Sequence, residues 1–423
     1  MNAVIQTVVL VLVFSSGGTA PCAAHSLDGA YPYLTPEGRE GHAPLSVHNE
    51  DPVNQANQRA HVNANPESFE KLVESAQAAM EADRIPEAIH LYTRATTLRP
   101  SWSEGWWHLG TLFFDAGRFP EARDAFAHFV SVERKQPGPG FAMLGLSEFQ
   151  LKHYPQALAA LERGKKLGLG TDQAFVHTVL FHDGILNNLL GEPEIALQRL
   201  TLAANQIAAA NLDAPKDAVF ANLELLDAFG MAALRIPKLP SDLVETQIPL
   251  VRQAGRAQAL IALQDYVSAE AEFKQLLALY ASEPGVHYMY GVFLLKEHPS
   301  LAVDEFRREI EISPSHAVAR IQLTLEFLRT ADYEQSLKYA KEAVALAPQN
   351  FAAHVAYGRL WLALGKTDNA LEELRTAVRL APGSPHAHLA LSRALYKAGQ
   401  KGEAAREQAE FDRLKALSDA ADQ

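Results

Sequence analysis

The chain repeats itself every 34 residues, and that stride constrains its fold more than any other feature. Pro314, Pro348 and Pro382 fall at this interval, as do Gly365 with Gly399 and Ala343 with Ala377. Gly110 and Ala122, Gly145 and Ala157, and Gly358 and Ala370 each stand twelve residues apart. A bulky residue follows four places on in each case: Phe126, Leu161 and Leu374. Ala88, Tyr92 and Pro100 repeat the second half of the pattern, as do Ala269 and Phe273. One short unit cannot bury its own apolar face, whereas stacked neighbours can.

Within the unit the local signal is helical. Phe351, Val355, Leu360 and Leu364 recur at helical spacing. Gly365 then ends the helix, because glycine adopts the left-handed cap conformation without a Cβ penalty. A second helix is expected from Asp368 to Leu380, stopped by Pro382. Gly358 and Ala370 are small because the two helices must approach to about 8–10 Å.

This pattern resembles the tetratricopeptide repeat, a pair of antiparallel helices that stacks into a superhelix. The match is clearest at 69–102, 103–136, 138–171, 317–350, 351–384 and 385–418. It is looser at 177–210 and 250–283, and at 284–316 it is one residue short in the turn before Ala302. The resemblance implies an all-α fold, an α-α superhelix of 34-residue helical hairpins. The final helix from Glu403 to Leu417 carries Arg406, Glu407, Glu410, Asp412, Arg413 and Lys415, as a polar solenoid cap would.

Other segments break the rhythm. Val8 to Phe14 reads VVLVLVF, a run of signal-peptide length, followed by small residues up to Cys22-Ala23-Ala24. We expect a signal peptide over 1–24, cut after Ala24, and export to the periplasm or medium; lipidation at Cys22, which would give an outer-membrane lipoprotein, is the alternative. Residues 25–66 hold five prolines and little apolar surface, and read as a disordered tether. An N-terminal array is expected over 67–210, an irregular helical joint over 211–249, a C-terminal array with its cap over 250–418, and a tail over 419–423. In the joint, Pro237 and Pro240 end a helical stretch running from Asp217 to Leu234. Two degenerate repeats running through this segment are the other reading.

Composition removes whole classes of chemistry. Cys22 is the single cysteine, so disulfide frameworks, thiolate zinc sites, iron–sulfur clusters and cysteine nucleophiles are excluded downstream of it. A net charge of −12 gives no overall attraction to nucleic acid or anionic lipid. Gly365-Lys366-Thr367 mimics the end of a phosphate loop, but Gly358 lies seven residues before Gly365 where that loop needs five. His177, His182 and Asp183 suggest a ligand cluster, yet five residues of helix rotate by about 500°, which mismatches the two rings for one metal. His287, His354 and His388 share a slot with Trp106 and Phe141 and read as packing residues. No catalytic residue, metal site or cofactor is expected.

What remains is a surface. In the resembled family the first helix of each unit lines a concave groove. Carried over unit by unit, the groove slots hold Glu70, Glu81, Glu104 and Asp115, with Trp107 and Phe114, at the N-terminal end. At the C-terminal end they hold Tyr288, Lys296, Arg329, Arg359, Arg393, Tyr396 and Lys397. These are the candidate binding residues for a protein or peptide partner, with guanidinium groups for carboxylates and rings for an apolar anchor. The expected role is a non-catalytic interaction scaffold of the envelope, without nucleic acid and without a transmembrane segment in the mature chain. Two other readings stand beside it: an enzyme or enzyme-accessory protein with a site in 172–249, and a self-associating structural protein.

Overall fold

The computed structural model describes residues 68–421, with side chains through Leu417. The expected signal peptide and tether lie outside the described residues. Among the described residues the regular structure is helical, without a strand. By their contacts the described residues form two compact units, divided between Leu186 and Asn187.

In the first unit the helices are α1 (Phe69–Glu81), α2 (Ile85–Leu98), α3 (Ser103–Asp115), α4 (Phe119–Val132), α5 (Gly138–Gln150) and α6 (Tyr154–Leu167). They pair as α1 with α2, α3 with α4 and α5 with α6. Helix α7 (Gln173–Leu189) follows. The small slots pack as their spacing requires: Ala88, Ala122 and Ala157 are fully buried. A Cβ on Gly110 would lie 2.6 Å from the Phe126 ring, so a methyl group there would force the pair apart. Tyr92, Leu72, Leu109 and Leu112 share one core, so adjacent hairpins bury each other's apolar faces.

The second unit contains α8 (Pro193–Ala210), α9 (Pro215–Ala221), α10 (Leu223–Ala233), a 3-10 turn (Pro240–Asp242), α11 (Ile248–Ala262) and α12 (Tyr266–Tyr280). It continues with α13 (Val286–Leu294), α14 (Pro299–Ile312), α15 (Ala317–Arg329), α16 (Tyr333–Leu346), α17 (Phe351–Ala363), α18 (Thr367–Leu380), α19 (Pro385–Lys397) and α20 (Lys401–Ala421). Residues 419–421, expected as tail, continue α20. The stretch expected to be one helix from Asp217 to Leu234 divides at Asn222, whose side chain accepts the Leu225 amide at 3.0 Å and starts α10. Helix α10 then packs on α11 at backbone contact. A Cβ on Gly230 would lie 1.8 Å from the Val251 carbonyl oxygen, and one on Gly255 would lie 1.9 Å from that of Leu226.

A second repeated device joins the helices of unit two. The slot occupied by His287, His354 and His388 holds Gln253 and Arg320 in the other hairpins. Each of these side chains reaches a glutamate on the following helix. Gln253 donates to Glu272 at 2.7 Å and Arg320 to Glu342 at 2.8 Å. His287, His354 and His388 place Nδ1 on Glu305, Glu373 and Glu407 at 2.5, 2.7 and 2.6 Å. The Nε2 atoms of His354 and His388 donate to the carbonyls of Pro348 and Pro382, both at 3.0 Å. Trp106 does the same in unit one, its indole N–H donating to the Pro100 carbonyl at 2.8 Å. The packing histidines are thus also polar ties between helices.

Candidate protein-binding groove

In unit one an open groove of about 1120 Å³ runs beside α1 and α3 and past the end of α4. Helical geometry explains its lining. Glu70, Val73, Glu74 and Gln77 are spaced i, i+3, i+4 and i+7 on α1, hence on one face. Glu104, Trp107 and His108 make the equivalent face of α3, and Phe129, Val132, Glu133 and Gln136 that of α4 and the turn after it.

The apolar part is a chain of rings. Trp107 is half-buried, 5.3 Å from Phe129 and 5.7 Å from Phe126. Trp102 meets Phe69 edge-on at 5.1 Å and stacks on Tyr92 at 6.0 Å, and Tyr92 stacks on His108 at 4.9 Å. Gly105 is required beneath this stack, because a Cβ there would lie 2.3 Å from the Trp102 ring. The charged part is mostly acidic. Glu70, Glu74, Glu104 and Glu133 line the groove against Arg99 and Lys135. Glu104 accepts the Trp102 indole N–H at 3.2 Å, which fixes both side chains. Glu133 accepts the amides of Lys135 and Gln136 at 3.0 and 3.2 Å. Arg99 already stands 3.6 Å over the Phe69 ring and 3.4 Å from Glu70. Burial lowers the pKa of His108, against the raising effect of Glu104, and so favours the neutral ring.

The structure distributes the expected site residues unevenly. Trp107, Glu70 and Glu104 line this groove; Glu81 and Asp115 do not. Phe114 is a correction: it is 3% exposed, packed edge-on against Phe119 at 5.4 Å, and belongs to the core. Tyr288 is another. It is 7% exposed, 4.8 Å from His316, and its hydroxyl accepts from Arg235 at 3.2 Å. Lys296 lies in the turn after α13, outside the helix, 3.6 Å from Glu297. Arg329 ends α15 paired with Glu326 at 2.9 Å. Arg359 on α17 and Arg393 and Tyr396 on α19 are exposed, and Lys397 donates to the Leu362 carbonyl at 2.7 Å.

Sequence reasoning missed Phe69, Val73, Glu74, Trp102, Phe129 and Glu133. The α1 stripe was readable as helical periodicity. Phe129 and Glu133 were not, because they sit at the C-terminal end of the second helix of their hairpin and just beyond it. In the 172–249 segment, His182 is 6% exposed, its Nδ1–H donates to the Thr178 carbonyl at 2.8 Å, and Asp183 is paired with Lys165. Among the described residues no group of three or more His, Cys, Asp or Glu is placed to hold a metal ion. No described helix is long and apolar enough to cross a membrane. Gly365, at φ 75°, turns the chain between α17 and α18, and Lys366 lies 5.0 Å over Trp361.

Helical hairpins at a 34-residue stride, with a groove along the first two of them, define an α-helical repeat protein built for contact with other macromolecules. A family model described as tetratricopeptide repeat matches residues 73–138, 322–385 and 362–416, so these segments carry tetratricopeptide repeats. No curated protein matches it. Among solved structures it is similar to MamA at 16% identity and TM-score 0.34, over 39% of this chain and 96% of that one. It is likewise similar to MamA residues 41 to the end from Desulfovibrio magneticus RS-1, at 19% identity and TM-score 0.35, over 40% of this chain and 97% of that one. The repeats support a scaffold for protein–protein interaction.

Proposed function

We propose that the protein is a non-catalytic scaffold of the periplasm or cell envelope that holds a segment of a partner protein in the groove of its first two hairpins. The observation that carries this reading is the ring-lined groove of about 1120 Å³, whose walls are helices already fixed by the core behind them. A preformed surface spares the binder the ordering cost that a flexible loop would incur. The half-buried Trp107 supplies the kind of aromatic anchor that dominates interface energetics. Export is supported by the apolar run Val8 to Phe14 and the small residues before His25.

A photo-crosslinking residue introduced at Gln77, exposed in the groove, tests this in the producing cell. The comparison is the same residue at Thr97, exposed on α2 outside the groove lining. A discrete adduct from position 77 and none from 97 is expected. Equal adducts from both positions, or none from 77, would overturn the assignment.

A further inference from the structure

We propose that the groove selects a positively charged segment, a peptide stretch with lysine or arginine side chains interleaved with apolar ones. This deepens the preceding reading and rests on the groove being the binding surface. The C-terminal groove slots offer cations that could pair a carboxylate; the groove along the first two hairpins has the opposite sign. Four carboxylates line it against one guanidinium and one ammonium.

The guanidinium is itself the template. Arg99 lies 3.6 Å over the Phe69 ring with Glu70 at 3.4 Å, so the groove wall already holds one cation by a ring face and a carboxylate together. Aromatic faces attract cations through their quadrupole, and arginine stacks best because its planar head is weakly hydrated. Further along, Glu104 and Trp107 stand one helical turn apart on α3, and Glu74 follows Glu70 by one turn on α1. These carboxylates and rings have the same chemistry as the Phe69 and Glu70 pair. The ring partners of Trp107 are Phe126 and Phe129. Val73, Val132 and Pro139 supply apolar wall for the interleaved residues. A carboxylate-bearing segment would meet like charge and strip water from acids it cannot pair.

Three labelled six-residue probes test the charge selection, alternating leucine with lysine, with glutamine or with glutamate. Three of the four tryptophans (Trp102, Trp106 and Trp107) lie in the hairpins that form the groove, so intrinsic fluorescence reports alongside probe anisotropy. The lysine probe is expected to bind, and the other two to bind at least about tenfold more weakly, as the loss of several partly desolvated charge pairs implies. Raising salt to about 1 M, where the screening length is about 3 Å, should weaken it markedly. The double variant Glu74→Gln with Glu104→Gln keeps an acceptor for Trp102 and should lose about tenfold for the lysine probe alone. Trp107→Phe, which retains core packing, should weaken the lysine probe through the poorer cation–ring contact.

Equal binding of all three probes, or a double variant that binds the lysine probe like the parent, overturns the charge selection. In that case the crosslink from position 77 still reports whether the groove binds at all. Light scattering in the same titration provides a further check. A dimer that forms with concentration and dissolves in the double variant would make a second copy the occupant and would equally overturn the proposal.

Discussion

At the scale of single residues, burial and not residue type decides which ionisable groups matter. His182 shows this most clearly. Desolvation pushes its pKa down from 6.5 to about 4, only partly opposed by its bond to the Thr178 carbonyl, and His177 lowers it further. The Phe149 and Phe181 rings at 4.9 and 5.5 Å form its apolar surroundings. The unfolded chain therefore binds a proton that the folded chain refuses, and stability must fall as pH drops from about 6.5 towards 4. That shift corresponds to about 3 kcal/mol. Chemical denaturation of the parent and of His182→Gln across this window checks it: the variant should show a shallower loss. Asp115 has the opposite sign. Burial raises its pKa from 3.8 to about 6, so its contribution is present at low pH and is lost as pH rises through 6. An unchanged slope in His182→Gln would show that the acid sensitivity arises elsewhere.

At the scale of helices, two recurrent slots hold the hairpins of the second unit together, one by being small and one by being polar. The small slot, which the first unit shares, permits the close approach at Gly110, Gly145 and Gly358. Ser392 in this slot donates to the Ala404 carbonyl, and Ser336, in the facing slot that Ala370 fills elsewhere, donates to the Thr324 carbonyl, both at 2.9 Å. The polar slot links first helix to second through Gln253, His287, Arg320, His354 and His388. Its chemistry varies while its partner is always a glutamate. Arg320 reaches Glu342, twenty-two residues on, where His354 reaches Glu373, nineteen on, because the longer side chain spans another turn. His354→Leu should therefore strand Glu373 and cost about 1–3 kcal/mol of stability. His354→Gln should cost less, since Gln253 makes the same bond to Glu272 in the equivalent hairpin. Thermal or denaturant unfolding of the two variants compares them directly, and equal losses would mean that ring packing, not the polar tie, is what the slot provides.

At the scale of the whole molecule, charge and address set the company the protein keeps. A net −12 repels phosphate backbones and suits a basic partner. Intact-mass analysis of the periplasmic fraction should find a chain beginning at His25; a chain starting at Met1 and confined to the cytoplasm would refute export. The sequence by itself determined the stride and the helical hairpins, because close packing writes itself into fixed spacings such as Gly358 to Ala370. It also located Trp107, since an aromatic residue on a first helix can be placed by register alone. Only the tertiary structure decided which slots stay open. Phe114 and Tyr288 occupy groove register yet are buried by Phe119 and by Arg235 with His316, contacts made by separate helices or turns. Phe69, Phe129 and Glu133 join the groove across hairpins. Periodicity fixes which face of a helix a residue occupies; whether that face meets solvent depends on neighbours distant in sequence, and no local pattern encodes them.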